Sequence, residues 1–162
     1  MTAPKIVHDT FTIERTYNAS PKRVFAAWAN VEAKSKWFGG PSETWKETER
    51  TMDFRVGGQE RAGGTFQATG MTTMFAATYL DILDQERIVY AYDMFVNGEK
   101  ISVSLASIEL RATDNGGTHM VVTEQGAYFD SEAYKSHGSR LRGTKGLMER
   151  FDASIDEPIG GR

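Results

Sequence analysis

The stretch Thr10-Phe11-Thr12-Ile13-Glu14-Arg15-Thr16-Tyr17, running on into Asn18-Ala19-Ser20-Pro21-Lys22-Arg23-Val24-Phe25-Ala26-Ala27-Trp28, decides how this chain is read. Phe11, Ile13, Arg15 and Tyr17 alternate with the threonines and Glu14, and that period of two predicts a half-buried strand. Ser20 is a good helix N-cap and Pro21 suits the first helical position. The helix they start buries Val24, Phe25 and Trp28 at spacing i, i+1, i+4. A second short helical piece carries Val31, Trp37 and Phe38, and Gly39-Gly40-Pro41 stops it. One strand followed by two short helices therefore opens the chain.

Further along, the pattern is that of strands. From Trp45 the chain turns β-like, and Met52, Phe54 and Val56 alternate with Asp53 and Arg55 until Gly57-Gly58 ends or bends the strand. Gln59 to Met74 has no clear period, and Gly63-Gly64 reads as a turn. Phe75 to Leu83 and Arg87 to Phe95 are strands, and Asn97-Gly98 is a type I′ hairpin signal. Ile101, Val103 and Leu105 lie on one parity, Ile108 and Leu110 on the other, which predicts a bulge near Ala106-Ser107. After a turn at Asp114-Asn115-Gly116-Gly117, Thr118 to Tyr128 is the last strand. A helix from about His137 to Ile155 puts Leu141, Leu147, Met148, Phe151 and Ile155 on one face. The expected fold is α+β: a curved antiparallel sheet of about six or seven strands gripping one long C-terminal helix. The 162 residues are expected to form one domain, with an ordered core from about residue 8 to 156.

Composition narrows the function. Nineteen basic and twenty-two acidic residues leave a net charge of −3, which argues against a nucleic-acid binder. With no cysteine there is no disulfide framework, thiolate metal site or cysteine nucleophile. The longest apolar run, Val24 to Ala29, is far short of a membrane span, and the N-terminus has no apolar core of a signal peptide. A cytoplasmic protein is expected.

Chemical motifs are sparse. His8, His119 and His137 have no metal-ligand spacing, so no metal is expected, and no cofactor motif occurs. Gly138 to Lys145 resembles a phosphate-binding loop only until its last two positions, where Thr144 and Lys145 are reversed. No Gly-x-Ser-x-Gly elbow is present. The final helix is more informative: His137, Arg140 and Thr144 share the angular face that further along is apolar. Either that half of the helix borders a cavity whose polar groups orient a ligand, or it overhangs the sheet edge into water. Glu124, inside the last strand, is a general base if it faces such a cavity and an ordinary wet-face residue if it does not. Asp53 and Arg55 share a strand face, and they form either a surface pair or a guanidinium at the cavity rim. The expected lining is Trp28, Trp37, Phe38, Phe66, Tyr92 and Met94 for the apolar wall. Arg55, Glu124, Tyr128, His137, Arg140 and Thr144 are expected to supply its polar groups, with Glu124 and His137 as catalytic candidates.

Several segments resemble one superfamily. Asn18 to Trp28 and Lys36-Trp37-Phe38-Gly39-Gly40-Pro41 are similar to the opening of START-like, or SRPBCC, proteins. Asp53-Phe54-Arg55-Val56-Gly57-Gly58, Thr118 to Tyr128 and Gly143-Thr144-Lys145-Gly146-Leu147-Met148 resemble its branch related to the activator of Hsp-90 ATPase. The resemblance spans about Phe11 to Ile155. It implies a helix-grip fold, as in birch-pollen-allergen-like proteins, with a cavity between sheet and helix. Relatives bind lipids, sterols, hormones or polyketides, and some are cyclases. It supplies no universal catalytic residues. Three functions follow as expectations: a protein binding a small apolar or aromatic molecule, a cyclase- or hydrolase-like enzyme in the same cavity, and a co-chaperone-like interaction module. Each is compatible with a homodimer.

Overall fold

The computed structural model describes residues 5–130 and 139–156. The chain runs β1 (Lys5–Tyr17), α1 (Pro21–Ala29), α2 (Val31–Ser35), β2 (Trp45–Met52), β3 (Gln59–Phe66), β4 (Thr72–Leu83), β5 (Arg87–Val96), β6 (Glu99–Ala112), β7 (Thr118–Asp130) and α3 (Ser139–Asp156). Seven strands form one antiparallel sheet in the order β1-β7-β6-β5-β4-β3-β2, so the first and last strands pair and every other neighbour is consecutive. This is the α+β helix-grip fold.

The opening stretch folds for the reasons its residues supply. The Ser20 side chain accepts from the Arg23 N–H at 3.2 Å, Pro21 occupies the first turn, and Val24, Phe25, Ala27 and Trp28 are buried. The Asn30 carboxamide caps α2 by accepting from the Ala33 N–H at 2.9 Å. That helix ends at Ser35, earlier than expected, and Trp37 and Phe38 follow in a turn whose N–H groups return to the Lys34 carbonyl. β1 begins at Lys5, three residues before the expected ordered core, because β7 pairs with it along its whole length.

Three sequence expectations are corrected. The strand entering at Trp45 stops at Met52 rather than Val56. Arg55 N–H bonds Asp53 O and Gly58 N–H bonds Arg55 O, a tight turn in which a Cβ on Gly58 would collide with the Asp53 carbonyl. Gly63-Gly64 is no turn but the middle of β3. A Cβ on Gly64 would enter the indole of Trp45 on the neighbouring strand, so the glycine makes room for that ring and blurs the alternation. Finally, the β5–β6 register slips at Ile101, not at Ala106-Ser107. Ser102, Ser104, Ala106, Ile108 and Leu110 therefore face inward, while Val103 and Leu105 face out. The expected hairpin stands: Asn97 and Gly98 both have positive φ.

Helix α3 lies against the concave side of the sheet. Met148, Phe151 and Ile155 are buried there, and Phe151 meets the rings of Tyr17, Trp28 and Trp37. Its C-terminal half is tied down by polar contacts: Tyr17 donates to Asp152 at 2.6 Å, and Arg23 donates to the Ser154 and Ile155 carbonyls. A cation on those last carbonyls satisfies groups the helix leaves open.

Candidate functional site

Between the sheet and α3 lies a cavity of about 410 Å³. Eight aromatic side chains line it: Trp28, Trp37, Phe38, Trp45, Phe66, Phe75, Tyr90 and Tyr92. Trp28–Trp37, Trp37–Phe38, Phe38–Phe75 and Phe75–Tyr90 meet edge to face, Phe75 touching Phe38 at 4.7 Å between centroids, so these quadrupole-matched contacts brace the wall. Gly39, Gly40 and Pro41 on one side, and Gly143 and Gly146 of α3 on the other, complete the lining. The loop at 37–39 is held by two arginines: Arg50 donates to Phe38 O, and Arg150 donates to Trp37 O and Gly39 O.

One end of the cavity is polar. There Arg140 of α3 donates through Nη1 to the Tyr92 hydroxyl at 2.9 Å and through Nη2 to Ser102 Oγ at 2.6 Å, with Ser104 Oγ at 3.4 Å. Tyr92 donates in turn to Glu124 Oε1 at 2.7 Å, and the Tyr128 hydroxyl reaches Glu124 Oε2 at 3.4 Å. Arg140 Nη1 is 3.6 Å from that carboxylate and its guanidinium sits 5.3 Å from the Tyr128 ring centre. The ion pair makes this end polar but close to neutral. Burial pushes the Glu124 carboxyl above its usual range, against the pull of Arg140 and the tyrosine hydroxyls. Burial likewise lifts the Tyr92 phenol, and pushes that of Tyr128 up to about 12. For Arg140 burial acts in the opposite sense, but Tyr92, Glu124 and Tyr128 together outweigh it and hold the guanidinium charged.

A second buried charge lies just behind the aromatic wall. Lys34 Nζ donates to Glu60 Oε1 at 2.8 Å, and the Tyr79 hydroxyl donates to the same oxygen. Both ionic side chains are about 1% exposed. The ammonium lies 4.5 Å from the Phe38 ring centre and within 6.0 Å of Trp28, Trp37, Phe75 and Tyr90, all of which line the cavity. Burial lowers the Lys34 pKa, and Glu60 opposes that shift.

Of the residues singled out from the sequence, Trp28, Trp37, Phe38, Phe66, Tyr92, Met94, Glu124, Arg140 and Thr144 line this cavity. Tyr128 stands behind Glu124 as its hydrogen-bond donor. Arg55 lies elsewhere. It is on the exposed 53–58 turn, paired with Asp53 at 2.8 Å, because β2 ends before reaching it. His137 falls outside the described residues. Sequence reasoning missed Ser102 and Ser104, since Val103 and Leu105 imitate an inward face. The signal was the parity of β7: once Val122 and Glu124 point inward, the register carries Ser104 and Ser102 with them. The Lys34–Glu60 pair, twenty-six residues apart, has no local signal at all. Among the described residues no group of acidic or histidine side chains could hold a metal ion, and no helix is long and apolar enough to cross a membrane.

Comparison with known proteins agrees with this geometry. Residues 18–155 match the family model for activator of Hsp90 ATPase homolog 1-like protein. An uncharacterized protein from Rhizobium leguminosarum is 37% identical with a TM-score of 0.87, over 96% of this chain and 99% of that one. A Rhizobium loti protein is also 37% identical, with a TM-score of 0.81, over 93% of this chain and 99% of its own. An AHSA1-like protein from Aeromonas hydrophila shares the fold at 18% identity and a TM-score of 0.69, over 91% and 92% of the two chains. No curated protein matches the chain.

Proposed function

Because the chain belongs to the activator of Hsp90 ATPase homolog 1-like family, we propose that it is a cytoplasmic binding protein for a small, largely apolar and aromatic molecule held between sheet and helix. One observation carries this reading: a cavity of about 410 Å³ with eight aromatic walls and a polar cluster confined to one end. Apolar walls supply most of the affinity of such sites, and a few placed polar groups set orientation. Arg140, Tyr92 and Glu124 have that role here. A single neutral probe, N-phenyl-1-naphthylamine, tests the reading by its fluorescence on binding. The wild-type protein takes up one equivalent, and Thr144→Trp, which fills the cavity, weakens uptake at least tenfold while circular dichroism is unchanged. Absence of uptake by the wild type, or equal affinity in the filled variant, refutes it.

Glu124 favours a second reading, an enzyme of the cyclase or hydrolase kind. A desolvated carboxyl with a raised pKa, within reach of a guanidinium, suits proton transfer to or from a bound molecule. On this reading Glu124→Gln abolishes turnover of a bound substrate and leaves its affinity within about threefold.

A further inference from the structure

The stretch of α3 that lines the cavity carries donors the protein itself does not use. Arg140 and Thr144 lie one helical turn apart, about 6 Å along the axis, and both line the cavity. The Arg140 guanidinium uses Nη1 on Tyr92 and Ser104 and Nη2 on Ser102. Its Nε–H and the second Nη2–H have no acceptor among the described residues. Thr144 is only 8% exposed, yet its hydroxyl has no hydrogen-bond partner among the described residues. A helical threonine ordinarily can turn its hydroxyl back to the carbonyl four residues earlier, and this one does not. Among the described residues, the unpaired side-chain polar atoms sealed from solvent are Trp28 Nε1 and Arg50 Nη1. Arg140 Nε and Thr144 Oγ1 are not sealed in this way and keep accessible surface. The cavity reaches the outside next to them: Gly143 lines it and is exposed, and a Cβ on Gly143 would meet nothing within 4 Å.

What this end of the cavity lacks is an acceptor. Glu124 already accepts from Tyr92 and Tyr128. Polar groups beside an apolar cavity are costly to leave unmade, and a bound molecule that completes them gains by it. A guanidinium and a hydroxyl side by side match a carboxylate, whose two oxygens take charge-assisted hydrogen bonds from both.

We propose that the ligand is an aromatic carboxylic acid, bound as its carboxylate between the Arg140 guanidinium and the Thr144 hydroxyl. This deepens the binding reading above and rests on it. The charges balance. Arg140 Nη1 stands 3.6 Å from Glu124 Oε2. When the ligand carboxylate takes the guanidinium, Glu124 takes one proton from water, and this end stays as near to neutral as before. Burial already favours the protonated carboxyl. The other titratable groups that face Glu124 among the described residues are Tyr90 and Tyr92 of β5 and Tyr128 of β7, phenols that burial keeps neutral. Its cross-strand partners, Phe11 of β1 and Ala106 of β6, carry no charge.

The probes are 2-naphthoate, 2-naphthamide and 2-ethylnaphthalene, an anion, a neutral carbonyl and a hydrocarbon on one ring system, each titrated calorimetrically into the full chain. At pH 6 the wild type is expected to bind 2-naphthoate at least tenfold more tightly than 2-naphthamide. Thr144→Val keeps the shape of the side chain and loses no hydrogen bond to any described residue. It is expected to weaken 2-naphthoate about tenfold and 2-ethylnaphthalene less than threefold. Because binding takes up a proton, affinity for 2-naphthoate falls between pH 6 and 9, that for 2-ethylnaphthalene does not, and Glu124→Gln removes the fall. The inference is overturned, while the cavity reading stands, if 2-naphthamide binds as tightly as 2-naphthoate. The same holds if Thr144→Val leaves 2-naphthoate unchanged or weakens both probes equally, or if the 2-naphthoate affinity does not fall with pH. Failure of the wild type to bind any of the three overturns both. The wild-type affinities and Thr144→Val decide the matter even if Glu124→Gln does not fold.

Discussion

Lys34 and Glu60 form a pair that few proteins of this size would bury without a further partner, and here Tyr79 is that partner. Taking two charges out of water costs several kcal/mol for each ion, and the pair holds only while both members are present. Lys34→Met leaves Glu60 buried without a counter-charge, with the Tyr79 hydroxyl still donating to it. The expected loss is about 3–5 kcal/mol in urea unfolding, and most of it returns when Glu60→Gln is added to the same chain. Glu124 differs in that its carboxyl is raised by burial. The folded state thus keeps a proton that the unfolded chain has already lost. The stability this contributes is full below the usual carboxylate pKa and disappears as pH rises through the raised value. Unfolding of the wild type and of Glu124→Gln across a series from pH 4 to 8 should show the wild-type advantage shrinking as pH rises, with no such slope if the carboxyl titrates normally.

At the scale of elements, the interplay of β2 and β3 explains what the amino-acid pattern conceals. Gly40 and Gly64 flank the Trp45 ring so closely that a Cβ on either would enter it. Gly64→Ala is expected to destabilise by about 1–3 kcal/mol, the usual cost of overpacking. Trp45→Leu in the same chain should recover part of that loss, and a double-mutant cycle measures the coupling. A coupling near zero would mean that the indole moves aside freely. The same contact shows why β3 was hidden in the sequence. In β3, Gly64 makes room for the cross-strand Trp45 ring and Gly63 for the Met74 side chain, and local alternation disappears. The opening strand, the caps at Ser20 and the Asn97-Gly98 hairpin were legible because each depends on adjacent residues. β6 misled because its inward face carries Ser102 and Ser104, polar residues that accept from Arg140, while two aliphatic side chains point outward. Periodicity reads hydrophobicity, and it fails where a strand lines a polar site.

For the whole molecule, the architecture was legible from the order of elements, since one strand, two short helices, a run of hairpins and a final helix admit few closures. The candidate site was legible in part. The polar first half and apolar second half of α3 pointed to Arg140 and Thr144, and both line the cavity. Arg55 was misplaced because its strand was read too long, and the Lys34–Glu60 pair depends on a long-range approach that no local pattern encodes.

The bulge at Ile101 turns Ser102 and Ser104 to the inward face of β6. Backbone hydrogen bonds hold β6 in register with β7 from Ser102 to Ala112. Among the described residues, the hydrogen bonds at the polar end of the cavity join side-chain atoms of Tyr92, Glu124 and Arg140, with Ser102 and Ser104 bonded to Arg140. Single codon changes can therefore rewrite the chemistry of this wall while the strand beneath it stays in place.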